Sequence, residues 1–483
     1  MILQRNILLL LILPFLYLAD LPAEEIQLPE MSNSSGVILS PEQEKRLGEQ
    51  LMRQFRRSLT IVDDQEIQTY VQSMGYRLLS HSSDNNGTSF NFFVINDPNI
   101  NAFAAPGGYI GINTGLILSS QSEDELASVI AHEIAHITQH HLTRTIEKYQ
   151  KMNIPNIAAL IATLILSAQS GNPQLAQAAI ISTQAGALQA QLNFSRAHEY
   201  EADRIGMTTL AKAGFDPRGM PQFFERLQNA SRYRGNIQEF LSTHPVNSSR
   251  IADSRNRAEQ YPTAKVSNII DYDLVKAKIQ LMHESSAAKS VKDFSAILEQ
   301  KQYSNELAAR YGYANALIRD GQFKNARRQI NTLLKADNER IAFIITKARL
   351  DMAESKYDDA QKDLERGLKI YPYNAPLVFT LVDTLMKSGG YTKAITLLQQ
   401  QILHTPASPD LYKLLADAEG KARHTFQAHE ALAEYYYLNG ETGAAIEHLK
   451  QARQDKTADF YRSSRLEARL KQFEVEYALE RSK

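Results

Sequence analysis

Cysteine and tryptophan are both absent from this chain of 483 residues. Without cysteine there is no disulfide framework, no thiolate zinc site, no cysteine nucleophile and no lipid-modified N-terminal cysteine. Charge of one sign is not in excess either, because 53 Lys and Arg residues face 54 Asp and Glu residues. This balance argues against a general nucleic-acid-binding protein, which carries a strong basic excess. Any catalytic metal must therefore be held by histidine and carboxylate side chains.

The apolar run at the N-terminus is too short to span a membrane as a helix. It covers 13 residues from Ile7 to Ala19 and contains Pro14, whereas a spanning helix needs about 20 apolar residues. Arg5 precedes the run and polar residues follow it, which is typical of an export signal. We therefore predict a cleaved signal peptide over residues 1–23 and a mature protein outside the cytoplasm, with an uncleaved anchor as the alternative.

Residues 24–262 combine helical and strand-like patterns, which predicts an α+β domain. The stretch 41–80 is predicted to be helical, because Ser40 is a good N-cap and apolar residues recur at helical spacing. Three short apolar segments separated by Gly- and Pro-containing turns predict a small antiparallel sheet: Phe90–Ile95, Ala102–Ala105 and Tyr109–Asn113. We expect substrate to pair with the last of these strands, because extended peptides add to exposed sheet edges.

Residues 267–483 are helical in pattern and repeat with a period of 34 residues. Three aromatic residues and three small ones keep this step: Phe323, Tyr357, Tyr391, Ala326, Ala360 and Ala394. Such a helix-turn-helix period is typical of tetratricopeptide repeats. The segment 431–449 has a similar composition but is predicted to be out of phase. The predicted fold is therefore mainly α, with an α+β domain followed by an all-α repeat array.

The segment Leu126–Ile137 carries the residues with the clearest chemistry. Residues Ser122–Glu125 predict a capping box at the start of a helix. On that helix His132 and His136 project from one face, and Glu133 projects from the adjacent side. This is the HExxH arrangement of zincins, in which two imidazoles bind one Zn²⁺ and the glutamate accepts a proton from water. A pair of surface histidines is the alternative.

A catalytic zinc needs a third protein ligand and an open fourth position. Glu199 and Asp203 lie four residues apart in a predicted helix, so one could bind the metal while the other holds the free N–H of a ligand histidine. Glu201 is predicted to point elsewhere into solvent. His140 and His141 are assigned to the surface or to contacts behind the ligands. A salt-bridged, acidic helix start is the alternative for this segment.

HEIAH at 132–136 and ExxxD at 199–203 together resemble the zinc peptidase family that includes the CAAX prenyl protease and HtpX. The run 101–116 resembles the strand that precedes the catalytic helix in that family. The resemblance implies a zincin-type metallopeptidase domain over residues 24–262 with one Zn²⁺ per chain. The roles that it implies are zinc ligation by His132, His136 and Glu199, general-base catalysis by Glu133, and support of a ligand by Asp203.

An export signal before this domain and a repeat domain at 267–483 resemble the branch of the family that works in the Gram-negative periplasm. The resemblance implies an endopeptidase with a chaperone-like role in the assembly and quality control of outer-membrane β-barrel proteins. Its substrates are expected to be unfolded or misassembled outer-membrane proteins. The repeats are expected to bind the β-barrel assembly machinery, and no nucleic acid is involved. The alternative is a repeat-based chaperone or adaptor whose zinc site is mostly latent.

His244 lies in a stretch, Ser242–Ile251, whose Pro245 and turn-forming residues predict a stiff loop. The family resemblance places this segment beside the metal, so His244 is a candidate catalytic residue. It could stabilise the oxyanion of the reaction, or it could fill the open metal position and hold the enzyme latent. Arg250 is a further candidate, for anchoring the loop or contacting substrate.

Residues 154–191, between the two ligand helices, form an unusual insert. Ile154–Ala168 is almost wholly apolar, and 174–191 is rich in Ala and Gln. The apolar part is shorter than the roughly 20 residues of a membrane-spanning helix. We predict either a buried helical hairpin, or a mobile lid or surface that rests on a client or makes peripheral contact with a membrane.

Overall fold

The computed structural model describes residues 40–82, 88–146, 161, 196–231, 238–262, 270–405, 408–455 and 460–481. The predicted signal peptide and, apart from Ile161, the predicted insert lie outside these ranges. So does the predicted junction between the two domains, whose limits stay a prediction. Within the described ranges the chain is mainly helical, with one small sheet and a C-terminal helical array, as predicted. No helix there is long and apolar enough to cross a membrane.

Helices precede and follow three short strands in the chain. The strands are β1 (Asn91–Ile95), β2 (Ala102–Ala105) and β3 (Tyr109–Asn113). The helices before residue 262 are α1 (Pro41–Ser58), α2 (Gln65–Leu79), α3 (Thr114–Ser119), α4 (Glu123–Thr138), α5 (His141–Ile146), α6 (Arg196–Lys212), α7 (Gly219–Ser231), α8 (Gln238–Thr243) and α9 (Ser248–Ala258). The helices after it are α10 (Ile270–His283), α11 (Ala287–Glu299), α12 (Glu306–Arg319), α13 (Phe323–Ala336), α14 (Ile341–Ala353), α15 (Tyr357–Ile370), α16 (Ala375–Ser388), α17 (Tyr391–His404), α18 (Pro409–Lys421), α19 (Thr425–Leu438), α20 (Thr442–Arg453) and α21 (Phe460–Arg481).

The helical stretch predicted over 41–80 is divided into two helices. α1 begins as expected, capped by Ser40 and with a proline in its first turn. The chain then becomes extended, so that Ile61 pairs with Ile95 at the edge of β1. Asp64 caps α2 by accepting backbone N–H groups. This short extended segment adds to the sheet on the side of β1.

The sheet has the strand order β1-β3-β2, with β3 in the middle. β3 pairs antiparallel with β2 but parallel with β1, so the prediction of an antiparallel sheet is wrong for one strand pair. The reason is the tight turn after β2, where Gly107 and Gly108 have φ values of 75° and 82° and fold the chain back between the two earlier strands. Since β3 is central, the expected pairing of substrate along Tyr109–Asn113 is also wrong.

α4 is the centre of the N-terminal part, and its residues from Glu125 to Thr138 are all buried. The main core contains its predicted apolar stripe: Leu126, Ile130, Ile134 and Ile137. Ser122 caps the helix by accepting the N–H of Glu125. The Glu125 carboxylate, however, accepts the N–H of Gln121 instead of completing the reciprocal bond. Of the two hydrogen bonds of the predicted capping box, the one from the Glu125 N–H to Ser122 is therefore formed and the reciprocal one is not.

The repeat helices keep the predicted 34-residue step. The first residues of α13, α15, α17 and α19 follow one another at this interval: Phe323, Tyr357, Tyr391 and Thr425. The predicted loss of phase over 431–449 is therefore wrong for α19. Ala428, rather than Ala444 or Ala445, is the residue that continues the step from Ala394. α20 departs from the step by one residue, because Thr442 follows Pro409 by 33 residues.

A cluster of charges at the start of α2 makes the first contact between the C-terminal helices and the N-terminal part. Glu66 accepts a hydrogen bond from the Tyr311 hydroxyl at 3.1 Å and lies 3.0 Å from Arg349 Nη1. Lys278 Nζ contacts Glu66 and lies 2.6 Å from Asp64 Oδ2. Three helices, α10, α12 and α14, therefore converge on one turn of α2.

Three arginines of α1 make a second contact, with the C-terminal end of α19. Arg53 Nη1 donates to the Tyr437 hydroxyl at 2.9 Å, and its guanidinium lies 4.8 Å from the centre of that ring. Arg56 and Arg57 donate to two backbone carbonyls at 2.9 and 3.1 Å, those of Leu438 and Gly440. Cations are favourable at a helix C-terminus, where carbonyl groups lack helical partners. This contact holds the C-terminal end of α19 against α1.

Candidate active site

α4 places the HExxH residues at the centre of the N-terminal part. The Nε2 atoms of His132 and His136 lie 2.9 Å apart, so both rings face one point. The carboxylate of Glu133 accepts the backbone N–H of Ala104 in β2. All three motif side chains are buried. The alternative of two surface histidines is therefore wrong.

α6 brings two carboxylates to the same place. Glu199 has one oxygen 3.5 Å from His132 Nε2 and the other 3.4 Å from His136 Nε2. Asp203 lies behind, with Oδ1 3.0 Å from His132 Nδ1. The sequence left open which carboxylate faces the metal. In the structure, Glu199 faces the two Nε2 atoms and Asp203 faces the opposite nitrogen of His132.

The close packing of α6 on α4 depends on Gly206. A β-carbon here would lie 3.0 Å from the backbone nitrogen of His132 and 3.1 Å from the carbonyl carbon and oxygen of Ala131. Glycine in a helix costs about 1 kcal/mol relative to alanine, but here it lets two backbones approach. Gly206 lies one turn after Asp203, so it sets the distance at which both α6 carboxylates meet the histidines.

The loop after α8 inserts His244 into the site. Its Nδ1 lies 3.3 Å from both oxygens of Glu199 and 3.3 Å from His132 Nε2. Its Nε2 lies 3.4 Å from Glu133 Oε1. The backbone N–H of His244 donates to the Phe240 carbonyl at 2.8 Å, and the rings of His244 and Phe240 pack with centres 5.1 Å apart. The loop histidine therefore contacts both the candidate ligands and the candidate base.

Arg250, the other candidate in this segment, lies in the first turn of α9 rather than in the predicted loop, and its side chain packs behind the site. Its Nε and Nη2 donate to the two oxygens of Asp203, each at 2.8 Å. Its Nη1 lies 2.7 Å from Glu199 Oε2 and donates to the Pro245 carbonyl at 2.8 Å. Because Arg250 is buried, its contacts anchor the loop. These contacts are those expected of the anchoring role.

His141 and Glu201 were not predicted as a pair. His141 is fully buried, with Nδ1 2.9 Å from His136 Nδ1 and Nε2 3.2 Å from Glu201 Oε2. Glu201 reaches the surface, as predicted, with a side chain that is 35% exposed, but one of its oxygens also contacts this buried histidine. The signal in the sequence was the pair of histidines directly after the motif. Only the turn between α4 and α5 shows which of them returns to the site.

Burial and hydrogen bonding shift the pKa values of the two motif histidines in opposite directions. Burial lowers the pKa of His136 well below its ordinary value. Burial acts in the same direction on His132, but hydrogen bonds to Asp203 and Glu199 outweigh it and raise its pKa to about 10. Burial opposes ionisation of Glu199, yet contacts with His244 and both motif histidines hold its pKa well below the usual range. Binding of a metal at His132 would therefore release a proton.

The donor set suits a divalent metal ion. One ligand atom from each of His132, His136, Glu199 and His244 lies within 4.8 Å of the others, and all four side chains are buried. Imidazole nitrogen and carboxylate oxygen are ordinary ligands of Zn²⁺, and catalytic zinc keeps three protein ligands and one exchangeable position. This chemistry activates water for hydrolysis.

Comparisons with known proteins agree with this geometry. The model of Peptidase family M48 matches residues 65–258, and a tetratricopeptide repeat model matches residues 351–418. The chain is 36% identical to the putative beta-barrel assembly-enhancing protease of Vibrio cholerae over 454 residues, which cover 94% of this chain and 93% of that protein. It is 33% identical to the beta-barrel assembly-enhancing protease of Escherichia coli over 92% of this chain and 91% of that protein. Mitochondrial metalloendopeptidase OMA1 of Schizosaccharomyces pombe is 37% identical over 36% of this chain and 47% of that protein.

Proposed function

Because the chain belongs to the beta-barrel assembly-enhancing protease family, we propose that it is a periplasmic zinc endopeptidase that degrades misfolded or stalled outer-membrane β-barrel proteins. The relatives support the biological setting over more than nine-tenths of the chain. The observation that carries the reaction is the convergence of two histidines and Glu199 on one point, with Glu133 beside it. A hydrolytic metal site needs this combination of ligands and base.

We assign zinc ligation to His132, His136 and Glu199. When bound, zinc lowers the pKa of a water molecule and polarises the scissile carbonyl. Asp203 accepts the Nδ1 proton of His132, which leaves the Nε2 lone pair of that ring free to bind. Arg250 holds Asp203 and Glu199 in place through its charged hydrogen bonds.

Glu133 is the general base in this proposal. The N–H of Ala104 fixes its carboxylate beside the ligands. Burial raises the pKa of Glu133, although the neighbouring His244 and His132 oppose this shift. A raised pKa makes the carboxylate a better proton acceptor than an exposed glutamate. Glu133 takes the proton of the attacking water and then delivers it to the leaving amine.

His244 keeps the resting enzyme closed, in our proposal. Its Nδ1 stands among the zinc ligands, and its Nε2 faces the base. A histidine in this place occupies the position that water and substrate need. The contacts therefore support the latch rather than the oxyanion-stabilising role, and hydrolysis requires the loop to move.

The edge strand β2 is the surface that we assign to the client chain. It lies at the end of the sheet order, and its Ala104 carries the N–H that holds Glu133. An extended peptide that adds to such an edge is bound through its backbone. Binding of this kind suits unfolded, β-rich clients of many sequences.

The repeats are the part that we assign to the β-barrel assembly machinery, since repeat arrays present extended binding surfaces. A cavity of about 350 Å³ lies between the N-terminal part and the repeats. It is lined by α1, α2 and β1 on one side and by α16 to α19 on the other. This cavity gives a partner access to both parts of the chain at once.

Metal analysis and a cleavage assay on an unfolded outer-membrane protein test the protease. Wild type is expected to hold one zinc ion per chain and to cleave the client. Glu133→Gln is expected to keep the zinc and to lose cleavage by about 10²- to 10⁴-fold, because the proton acceptor is gone. The matched control Glu49→Gln, on the exposed side of α1, should cleave like wild type. Wild type that binds zinc but cleaves no more than Glu133→Gln would contradict the assignment.

The variant His244→Arg tests the latch in the same assay. If His244 holds the site closed, cleavage of the client and of the protease itself should rise. Lost turnover would support the oxyanion-stabilising role instead. No change in either activity would rule out both roles for His244.

A chaperone or adaptor with a mostly latent zinc site is the second candidate. The observation that favours it is the closed position of His244 against Glu133. Its test is the rescue of outer-membrane assembly in cells that lack the protein. Full rescue by Glu133→Gln would show that this role does not need hydrolysis.

A further inference from the structure

A second chain of polar contacts lies behind His136 and is not used in the proposed reaction. His141, the first residue of α5, places its Nδ1 2.9 Å from Nδ1 of His136. On the other side of its ring, Nε2 lies 3.2 Å from Glu201 Oε2. His141 is fully buried, whereas Glu201 reaches the surface. The contacts therefore run from the metal-binding point to the outside of the protein.

The donor and acceptor roles along these contacts follow from the orientation of His136. Its Nε2 faces His132 and Glu199, so a metal there requires an unprotonated Nε2 and a proton on Nδ1. That Nδ1–H can donate only if His141 Nδ1 accepts. His141 then carries its own proton on Nε2 and donates it to Glu201. These two contacts thus place one proton on His136 Nδ1 and one on His141 Nε2.

The ring of His141 is itself held in position. His198 in α6 stacks on it with ring centres 4.3 Å apart and 9° between the planes. The preceding His140 has a φ of 53°, in the left-handed region, and this turns the chain sharply between α4 and α5. The sharp turn returns His141 to His136 only five residues later in the sequence.

We propose that His141, held by Glu201, is a positioning residue that fixes the orientation and tautomer of His136 for zinc binding. His141 accepts the Nδ1 proton of His136, as Asp203 accepts that of His132. The acceptor behind His136 is thus a neutral imidazole instead of a carboxylate. The inference rests on the proposed function, because it takes His136 as a zinc ligand. Partners behind ligand histidines fix ring orientation and raise metal affinity.

Zinc affinity of the full chain, measured by competition with a chromophoric chelator, tests the proposal. His141→Phe keeps a ring that stacks on His198 but removes both nitrogens. Its zinc affinity is expected to fall about 10- to 100-fold. The matched control is His140→Asn, because asparagine tolerates a left-handed backbone, and it should bind zinc like wild type. Equal affinities of His141→Phe and wild type would overturn the proposal.

Two substitutions of Glu201 keep the test informative if His141→Phe does not fold. Glu201→Gln retains an oxygen that accepts the His141 proton and should bind zinc nearly as well as wild type. Glu201→Leu removes the acceptor and should bind more weakly. In spectra of ¹⁵N-histidine-labelled, zinc-loaded protein, His136 should show the Nδ1–H tautomer, with a weaker signal in Glu201→Leu. Identical affinities and spectra for the two variants would refute the positioning role.

Failure of this inference and failure of the proposed function give different results. If wild type binds no zinc, or if His136→Ala binds zinc as tightly as wild type, the proposed function fails. If His136→Ala loses zinc while the His141 and Glu201 variants match wild type, only the positioning role fails.

Discussion

The guanidinium of Arg250 neutralises two carboxylates in a place that water does not reach. Its side chain is only 2% exposed, and so are those of Asp203 and Glu199. A buried charge without a partner is far more costly than an exposed one. The planar fork of arginine meets both oxygens of Asp203 and still has a nitrogen left for Glu199, which a lysine cannot do. Arg250 is therefore a permanent cation of the site, beside His132, whose raised pKa also favours a positive charge.

Replacement of Arg250 should destabilise the protein strongly. Arg250→Ala removes the permanent cation from two buried carboxylates, and we expect a loss of about 3–5 kcal/mol in the free energy of unfolding. Urea unfolding in the presence of a chelator measures this without a contribution from metal. Arg255→Ala is the matched control, because Arg255 lies in the same helix and is 57% exposed, and it should leave the free energy unchanged. Similar losses in the two variants would contradict the role of Arg250.

At the residue scale, local spacing indicated side chains that the structure brings together, whereas long-range contacts could not be predicted from it. His132, Glu133 and His136 follow from one helical turn, and the four-residue spacing of Glu199 and Asp203 limited the third ligand to two residues. Which of them faces the Nε2 atoms of the two histidines depends on how α6 docks on α4. That packing is tertiary and leaves no pattern in the sequence. The contact of His141 with the site depends in the same way on a turn.

At the element scale, glycines determine how closely the backbones pack. Gly206 lets α6 approach α4, and the turn with Gly107 and Gly108 folds β3 between its neighbours. Apolar periodicity predicted the existence of the helices and strands, because burial sets that pattern. It could not predict the parallel pairing of β1 with β3 or the break before Asp64. Both depend on turns of a few residues rather than on periodicity.

Gly206→Ala should reverse the usual effect of alanine in a helix. Alanine normally stabilises a helix by about 1 kcal/mol over glycine. Here its methyl group meets the backbone of α4, and overpacking costs about 1–3 kcal/mol. The control Gly420→Ala has no atom within 4 Å of the new methyl group and should be neutral or stabilising. Thermal unfolding and zinc affinity of both variants measure the difference, and a Gly206→Ala protein as stable as wild type would contradict close packing.

At the scale of the whole molecule, the repeats and the N-terminal part are joined by charges. Asp64 and Glu66 at the start of α2 are paired by Lys278 and Arg349. The period of 34 residues predicted the repeat array from the sequence. It gave no indication of which repeat residues would meet α2, since those partners lie more than 200 residues away.

Acid should weaken this contact. Burial opposes the charge on Asp64, but Lys278 and Arg349 lower its pKa below the ordinary value. A carboxyl group with a lowered folded pKa stabilises the protein above about pH 4, and the contribution is lost as pH falls through the folded value. The difference in unfolding free energy between wild type and Asp64→Asn should therefore be largest near neutral pH and shrink below about pH 4.

Asparagine keeps the helix cap at this position, so the variant removes the charge alone. The matched control is Asp63→Asn at the exposed neighbouring residue, and its effect on the unfolding free energy near neutral pH should be smaller than that of Asp64→Asn. A pH-independent difference for Asp64→Asn would contradict a role for its charge in the contact.

The anchoring of α1 to α19 also has a consequence for the order of folding. Arg53 and Tyr437 are 384 residues apart in the chain. At 5–20 residues per second, the ribosome makes Arg53 roughly 20 to 80 s before Tyr437. Throughout that interval the three arginines of α1 have no α19 to contact, whatever has already folded between them. The junction of protease and repeats is thus completed late, once residue 440 has been synthesised.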